Sequence, residues 1–419
     1  MSSSKINRIE ARQILDSRGN PTIEVGVETQ AGVFYAAAPS GASTGKHEAV
    51  ELRDEGHEYM GRGVSGAVKN INEIIAPKLV GQDVTLQQEL DEKMIEMDGT
   101  GNKSQLGGNA ICAVSLGLCR AGAGTKGLEL FQYVKRIAQK EHWISVDEYK
   151  IPSPSFNIIN GGAHAGNDLD FQEFMIAPQA EFFSEKLRIG VEIYHRLKAR
   201  LAKRYGGLAT SLGDEGGFAP PLNLPVQAID LILFSAKELG YEGEIGLILD
   251  VAASQFLSND HYEMGGQKFS SEELISYYQE LSSKYPILGL EDPLAEDDWE
   301  GFQEITKRMG KEVMIIGDDL LVTNPKRIKE CQQKKAANSM ILKINQIGTV
   351  SEALSAAKLA QESGWKIIVS HRSGETTDDF IADFAVGIGA DFIKTGAPAR
   401  GERVVKYNRL LKIAGELNL

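Results

Sequence analysis

Short apolar runs recur through the second half of the chain, and a polar or ionisable residue follows closely after each of them. Amphipathic helical patterns separate the runs, so that each unit has roughly 25 to 40 residues, as expected of a strand followed by a helix. Because runs that are apolar throughout are typical of strands buried on both faces, they indicate a parallel sheet. The runs lie at 245–249, 287–290, 313–316, 340–342, 366–369 and 392–393.

Two earlier units, near Phe156 and Phe174, bring the number of strand patterns to eight. Eight units fit a closed barrel better than an open sheet, and no Gly-x-Gly-x-x-Gly motif opens any of the helices, which argues against a dinucleotide-binding sheet. The first third of the chain differs, because 6–39 alternates like an antiparallel meander and helical patterns follow it. We therefore predict an α/β barrel at 143–419, preceded by a smaller α+β domain at 1–142.

Composition narrows the classes of function. A net charge of −13 and a pI near 5.2 argue against broad binding to nucleic acid or to an anionic membrane. The first residues show neither the apolar core of a signal peptide nor a span long enough to cross a bilayer, so we expect a cytoplasmic protein. The cysteines, Cys112, Cys119 and Cys331, lack zinc-type spacing and are interpreted as packed thiols.

The residues at the ends of the apolar runs point to a metal. Asp250, Glu291 and Asp318 each come at the end of a run. The carboxyl ends of barrel strands meet on one face, where barrel enzymes have their active sites, so we expect these carboxylates to converge. Three hard oxygen ligands without His or Cys favour Mg²⁺ over zinc. Taken singly, each residue is equally well explained as a solvated loop residue or a helix cap, but their repetition favours a site.

Other residues at the same strand ends carry positive charge. Lys343 and Lys394 each follow a run, and a lysine beside metal cations and a second ammonium favours its neutral form, which makes it a candidate general base. Structural ion pairing is the alternative explanation for both lysines. His371, Arg372 and Ser373 add donors suited to a phosphate group. The site is therefore predicted to take a small, strongly anionic substrate.

Three glycine-bearing loops belong to the same prediction. The loop at 39–45 is a candidate lid, and the loops at 160–166 and 213–217 bring His164 and Glu215 next to glycines that let backbone approach a ligand. Glu173 follows the second loop. Like charge and burial would keep one of Glu215 and Glu173 protonated, as in an acid pair.

Eight segments spread along the chain resemble the enolase family. They are 16–22 (DSRGNPT), 40–45 (SGASTG), 213–217 (GDEGG), 291–293 (EDP), 317–320 (GDDL), 342–349 (LKINQIGT), 370–376 (SHRSGET) and 393–400 (IKTGAPAR). Such a set is far more specific than similarity of fold alone. The resemblance implies a lyase that reversibly dehydrates 2-phospho-D-glycerate to phosphoenolpyruvate and water in glycolysis and gluconeogenesis, by way of a magnesium-stabilised enolate.

The resemblance also implies roles for individual residues. Lys343 removes the carbon-2 proton, and Glu215 protonates the departing hydroxide with Glu173 as its partner. The ligands implied for two Mg²⁺ ions per site are Asp250, Glu291, Asp318 and, for the second ion, Ser43. The residues implied in catalysis are Lys343, Glu215, Glu173, His371, Lys394 and His164. Those implied in substrate binding are His164, Glu173, Glu291, Asp318, Lys343, His371, Arg372, Ser373 and Lys394.

One position departs from the family pattern, since Gln255 stands where enolases usually have Glu. Two alternative functions are considered. One is another enolase-superfamily enzyme that removes a proton next to a carboxylate, against which the phosphate-suited residues weigh. The other is a non-catalytic relative with a structural or binding role, against which the presence of Lys343 and Glu215 weighs. The resemblance further implies a homodimer or an octamer built from dimers, and a cytoplasmic protein with a cell-surface or secreted fraction.

Overall fold

The first part of the chain folds as a small antiparallel sheet covered by helices. In the computed structural model, the residues described are 4–41, 46–140, 144, 146 and 148–419. The predicted meander is confirmed, because β1 (Arg8–Leu15), β2 (Pro21–Thr29) and β3 (Gly32–Ala37) pair in sequence order. The helices that follow are α1 (Ser65–Asn70), a π-helical turn (Ile71–Ile75), α2 (Ala76–Leu79), α3 (Gln87–Asp98), α4 (Gly108–Lys126) and α5 (Leu130–Lys140).

Helix α4 packs directly on this sheet. It is rich in small residues, and most of its length is buried. Gly124 allows the closest approach, because a Cβ atom at that position would lie 2.0 Å from the Phe34 ring. The alternating residues Val25 and Val27 of β2 are fully buried. The small residues of one element and the branched residues of the other therefore form one closely packed core.

The rest of the chain contains the barrel. Its strands, in chain order, are β4 (Ser153–Asn160), β5 (Glu173–Pro178), β6 (Ile245–Asp250), β7 (Leu257–Ser258), β8 (His261–Met264), β9 (Gln267–Phe269), β10 (Ile287–Glu291), β11 (Met314–Gly317), β12 (Ser339–Leu342), β13 (Lys366–Ser370) and β14 (Phe392–Lys394). Strands β7 to β9 form a separate small sheet. Within the described residues, the other eight close into a barrel in the order β4, β5, β6, β10, β11, β12, β13 and β14, as predicted.

Helices follow most of the barrel strands, which confirms the predicted alternation. They are α6 (Phe183–Tyr205), α7 (Pro225–Glu238), α8 (Ser271–Lys284), α9 (Trp299–Met309), α10 (Pro325–Lys334), α11 (Ile344–Ile347), α12 (Val350–Glu362), α13 (Phe380–Gly387) and α14 (Gly401–Leu417). Helix α10 shows the local signals well, because Asn324 caps it by accepting from the Lys326 N–H and Pro325 occupies its first turn. None of the helices in the described part of the chain is both long and apolar enough to cross a bilayer.

Strand β5 is the exception to the parallel arrangement that the apolar runs indicate. It pairs antiparallel with both β4 and β6, whereas the other neighbouring strands of the barrel are parallel. The connection from β4 to β5 contains only a short 3₁₀ turn (Gly162–His164), and a parallel return would need a longer crossover, usually a helix. The first residue of β5, Glu173, therefore lies beside Asp250, the last residue of β6.

The period of the strands directs the predicted site residues into the mouth of the barrel. A separate apolar cluster, distinct from the layer that packs under the helices, comprises Met175, Ala177, Ile248, Ile316, Ile341 and Ile368. Because side chains alternate between the faces of a strand, a residue two positions further along points to the same side. Asp250, Asp318 and Lys343 each stand two positions after a member of this cluster.

The two parts of the chain are joined by backbone and side-chain contacts. Ser40 and Gly374 exchange two backbone hydrogen bonds of 2.8 and 2.9 Å. Lys103 donates to Glu352 Oε1 at 2.9 Å, which ties a loop of the first part to helix α12. The predicted boundary between residues 142 and 143 and the predicted metal ligand Ser43 both lie outside the described residues, and both stay predictions.

Candidate active site

Lys394 lies at the centre of a cluster of carboxylates at the mouth of the barrel. Its Nζ donates to Glu291 Oε1 and Oε2 at 2.8 and 2.9 Å and to Asp250 Oδ2 at 3.0 Å, and it lies 3.3 Å from Glu173 Oε1. Burial alone lowers the pKa of Lys394, but the surrounding carboxylates, Asp250 foremost, raise it well above its ordinary value. The structure thus brings two predicted metal ligands and the predicted lysine to one point.

Lys343 pairs with the third predicted metal ligand, Asp318. Its Nζ donates to Asp318 Oδ2, while Asp318 Oδ1 accepts from Gln346 Nε2 at 3.0 Å. Burial is the largest single influence and lowers the pKa of Lys343, yet the surrounding carboxylates, Asp318 foremost, together raise that pKa above its ordinary value. Burial raises the pKa of Asp318, and Lys343 with Lys394 lowers it by more. Lys394 therefore pairs with two of the three predicted metal ligands, and Lys343 pairs with the third.

Asp292 holds the loop that carries Asp318, a role that the sequence analysis missed. Its Oδ1 accepts from the Asp318 N–H at 3.0 Å and its Oδ2 accepts from the Asp319 N–H at 2.7 Å. Asp292 itself has a φ of 39°, in the left-handed region that non-glycine residues rarely adopt. The Asp292 side chain thereby accepts from two successive backbone amides and orients the loop of a predicted metal ligand. The adjacent acids Glu291 and Asp292 were visible in the sequence, but nothing there separates the two roles.

Glu173, Glu215 and His164 form a second cluster. His164 Nδ1 lies 3.6 Å from an oxygen of each glutamate, and one ligand atom from each of the three residues lies within 4.8 Å of the others. Burial, and next the Glu215 charge, raise the pKa of Glu173 well above its ordinary value. Burial also acts to raise the pKa of Glu215, but His371 and His164 lower it well below its ordinary value. Burial and the charge of Glu215 therefore favour a proton on Glu173, and the two histidines favour the ionised form of Glu215.

The predicted phosphate-binding residues line the same cavity. Arg372 is buried, and its guanidinium donates to Glu48 Oε2 at 2.9 Å, to Glu48 Oε1 at 3.3 Å and to Asn345 Oδ1 at 3.2 Å. Ser373 lines the cavity beside it. Glu48 comes from the first part of the chain, 324 residues before Arg372. The sequence analysis missed Glu48, because neither its position nor its neighbours mark it as a partner of a barrel residue.

Gln255, the departure from the family pattern, belongs to a chain of side-chain amides at the edge of the cavity. Its Nε2 donates to Gln172 Oε1 at 2.6 Å, and Gln172 Nε2 donates to Asp250 Oδ2 at 3.1 Å. Its own Oε1 accepts from the Ala163 N–H at 3.3 Å, next to His164. Gln255 therefore connects the His164 loop with a predicted metal ligand through neutral groups.

The cavity lining suits an anion together with a hard cation. The carboxylates of Asp250 and Glu291 already converge on one cationic atom, Lys394 Nζ, and the group formed by Asp292, Asp318 and Asp319 offers oxygens within 4.8 Å of one another. All of these ligand atoms are hard oxygens, which fits a divalent cation such as Mg²⁺. Among the described residues, the buried polar atoms that lack a hydrogen-bond partner include three in the cavity, His164 Nδ1, Glu173 Oε2 and His371 Nε2. Such atoms indicate a site for a polar ligand.

Comparisons with known proteins decide the family. A family model described as "Enolase, N-terminal domain" matches residues 6–134, and one described as "Enolase, C-terminal TIM barrel domain" matches residues 148–419. The chain belongs to the enolase family. A protein named enolase from Pyrococcus furiosus is 52% identical over 98% of this chain and 94% of its own length. Enolases from Thermococcus gammatolerans and Methanocaldococcus jannaschii are each 51% identical over 99% of this chain and 95% and 96% of their own lengths.

Enolase membership confirms the predicted fold class and agrees with the acids found in the cavity. Membership implies the use of a metal, and the clusters around Asp250 and Asp318 are suited to one. Lys343, Glu215, Glu173, Lys394, His371 and Arg372, predicted from different segments, line one cavity with these acids.

Proposed function

We propose that this chain is an enolase that reversibly dehydrates 2-phospho-D-glycerate to phosphoenolpyruvate and water. One observation carries the proposal: a single cavity is lined by a lysine, a pair of glutamates sharing a proton, carboxylates suited to a cation and a buried arginine. Removal of the proton next to a carboxylate places a second negative charge on the same group, so a cationic surrounding is required. Near full-length similarity to proteins named enolase supports the same reaction.

Two side chains handle the two protons of the reaction. Lys343 Nζ takes the proton from carbon 2, and the electron pair of that C–H bond moves into the adjacent carboxylate to give an enolate. The pair then returns to form the double bond between carbons 2 and 3 as the bond between carbon 3 and its hydroxyl oxygen breaks, and Glu215 gives a proton to the departing group, which leaves as water. Glu173 holds the proton that the pair shares and resupplies Glu215. Because Lys343 and Glu215 have separate partners, each proton transfer has its own environment.

The remaining residues bind and orient the substrate. Asp250, Glu291 and Asp318 would hold a first Mg²⁺, whose positive charge would stabilise the substrate carboxylate and favour the neutral form of Lys343. Ser43 is the ligand proposed for a second Mg²⁺. Lys394 binds the same substrate carboxylate. Its hydrogen bonds to Asp250 and Glu291 hold the Lys394 ammonium group beside the proposed metal ligands.

The phosphate end of the substrate is assigned to Arg372 and Ser373. Glu48 and Asn345 hold the Arg372 guanidinium in a fixed orientation, which suits planar recognition of phosphate oxygens. His371 and His164 close the cavity around the rest of the substrate, next to Glu215.

Turnover of 2-phosphoglycerate tests the proposal. We expect purified protein with excess Mg²⁺ to produce the ultraviolet absorbance of phosphoenolpyruvate, and we expect a chelator to abolish it. A carboxylate substrate without phosphate that is turned over instead would favour another superfamily reaction. Absence of any turnover, with substrate binding retained, would favour the non-catalytic alternative.

The assembly and the location of the protein are also proposed. We infer a homodimer, or an octamer built from dimers, working in the cytoplasm with a fraction at the cell surface or outside the cell. Light scattering on the purified protein measures the assembly directly, and a monomer at micromolar concentration would contradict it.

A further inference from the structure

Arg403, on helix α14, is a buried arginine that the proposed reaction does not use. Its side chain is fully buried. Its Nη1 lies 2.6 Å from His371 Nδ1 and donates to the Arg372 carbonyl at 2.7 Å, and its Nη2 donates to the carbonyls of Ser373 and Asp214 at 2.7 and 3.0 Å. A buried guanidinium is costly unless its donors are satisfied, and both Nη atoms have acceptors here, while Nε lies 3.5 Å from Glu402 Oε1 without a hydrogen bond.

The short contact with His371 defines the protonation of the histidine ring. A guanidinium carries only donors, so His371 Nδ1 has to be unprotonated and to accept. In a neutral imidazole the proton is then on Nε2, which lies 3.3 Å from Glu215 Oε2 and has no hydrogen-bond partner elsewhere among the described residues. An imidazolium would place an N–H against the guanidinium. Burial, ahead of the other influences, lowers the pKa of His371 to about 4, which agrees with a neutral ring.

We propose that Arg403 is a positioning residue for the proton donor, acting through His371. Arg403 fixes the tautomer in which Nε2–H faces Glu215. Its guanidinium also donates to carbonyls of both loops, the one that carries His371 and the one that carries Glu215. The inference rests on the role proposed for Glu215 and deepens it. The charged groups that influence His371 are Glu215, Glu375 and Arg403 itself.

The tautomer also distinguishes the two oxygens of Glu215. Asn157 Nδ2 donates to Oε2 at 3.0 Å, and the His371 Nε2–H faces the same atom. Oε1 lies instead on the side of His164, at 3.6 Å from its Nδ1. Because Asn157 donates to Oε2 and the His371 Nε2–H faces that oxygen, Oε1 is the oxygen that receives the proton from Glu173 and delivers it.

Nitrogen NMR of protein labelled with ¹⁵N-histidine tests the inference, because protonated and unprotonated ring nitrogens differ strongly in chemical shift. The chain has seven histidines, and the signals of His371 are assigned by their disappearance in His371→Gln. We expect the wild-type ring to carry its proton on Nε2 from pH 5.5 to 8. A proton on Nδ1 in the wild-type protein overturns the proposal without any further variant.

Arg403→Met and Lys406→Met form a matched pair. Lys406 is a second buried cation on the same helix, but its Nζ donates to Glu375, Thr376 and Glu402 rather than to His371. We expect Arg403→Met to give mixed tautomers and a His371 pKa higher than in the wild-type protein, because one of the influences that lower it is removed, whereas Lys406→Met keeps the Nε2–H form. Equal effects of the two substitutions, or none in Arg403→Met, overturn the proposal.

Kinetics separate this inference from the proposed function. We expect Arg403→Met to lower kcat about tenfold and to move the loss of activity at acid pH to a higher pH than in the wild type, because an imidazolium keeps Glu215 ionised. If wild-type protein does not turn over 2-phosphoglycerate while the tautomer is as expected, the proposed function fails and the assignment of the ring stands. If turnover is present and His371 is protonated on Nδ1, the inference alone fails.

Discussion

The two sides of the cavity are built by different means. The side of Lys343 and Asp318 comes from the ends of successive parallel strands, where the same βα unit repeats. The side of Glu173 and Glu215 comes from the start of the antiparallel strand β5 and from a loop. On the first side each of the three predicted metal ligands has a lysine partner, whereas on the second side two acids lie together and burial favours a proton on one of them. The comparison shows that the repeated βα units supply the lysine–carboxylate pairs. The antiparallel strand β5 and the Glu215 loop supply the proposed proton donor.

Replacement of Lys343 breaks the first side and has the largest expected effect. Lys343→Ala is expected to lower kcat about 10⁴-fold, because proton removal loses its base. Exchange of the carbon-2 hydrogen with solvent, followed by mass spectrometry, is expected to disappear as well. Exchange at the wild-type rate in this variant would contradict the assignment of Lys343 as the base, and the thermal midpoint checks that the variant is folded.

Replacement of Glu215 breaks the second side alone. Glu215→Gln is expected to lower elimination about 10³-fold while retaining part of the hydrogen exchange, because Lys343 is untouched. Glu352→Gln is the matched control, since Glu352 pairs with Lys103 and does not line the cavity. If exchange and elimination fall together in Glu215→Gln, the two sides do not act separately.

Replacement of Asp292 tests how the first side is held in place, because Asp292 orients the loop that carries Asp318 and takes no part in proton transfer. Asp292→Asn keeps one acceptor and loses the other, so we expect Mg²⁺ affinity to fall about tenfold, as for other groups that orient metal ligands. Calorimetric titration with Mg²⁺ measures this without turnover. Asp298→Asn is the matched control, because the amide keeps an acceptor for the Gly301 N–H but loses the oxygen that accepts from Tyr262 and Ser271, and it is expected to lower stability with metal affinity unchanged.

Asp91 gives a reference outside the cavity, with the smallest expected effect on activity. This fully buried acid accepts from Ser351 and Gln87, and burial raises its pKa from its ordinary value of 3.8 to about 6. A raised carboxyl pKa means that the folded state binds the proton more tightly, so stability is greatest below pH 4 and falls as the pH rises to 6. The difference corresponds to about 3 kcal/mol.

Asp91→Asn is therefore expected to remove this pH dependence while turnover is unchanged. Thermal midpoints of the variant and the wild type, measured between pH 4.5 and 7.5, are expected to diverge in favour of the variant as the pH rises. A constant difference across this range would show that Asp91 is ionised in both the folded and the unfolded states.

The regular half of the site was predictable residue by residue. Asp250, Glu291, Asp318, Lys343 and Lys394 follow apolar runs, and the two-residue period of a strand decides which face they share. The antiparallel direction of β5 was not predictable in this way, because an apolar run has the same pattern in either direction. Glu173 was found through its neighbouring loop and the family resemblance rather than through the geometry of its strand.

The sequence by itself determined the barrel, the preceding α+β region, the family and the set of ionisable groups, because these depend on local period and on motifs whose residues lie close together in the chain. Only the tertiary structure decided how those groups are held. The partners of Arg372 and His371 are Glu48 and Arg403, which lie 324 and 32 residues away along the chain. Such pairings depend on where folded elements meet, so no local pattern encodes which acid carries the proton or which nitrogen of a histidine accepts.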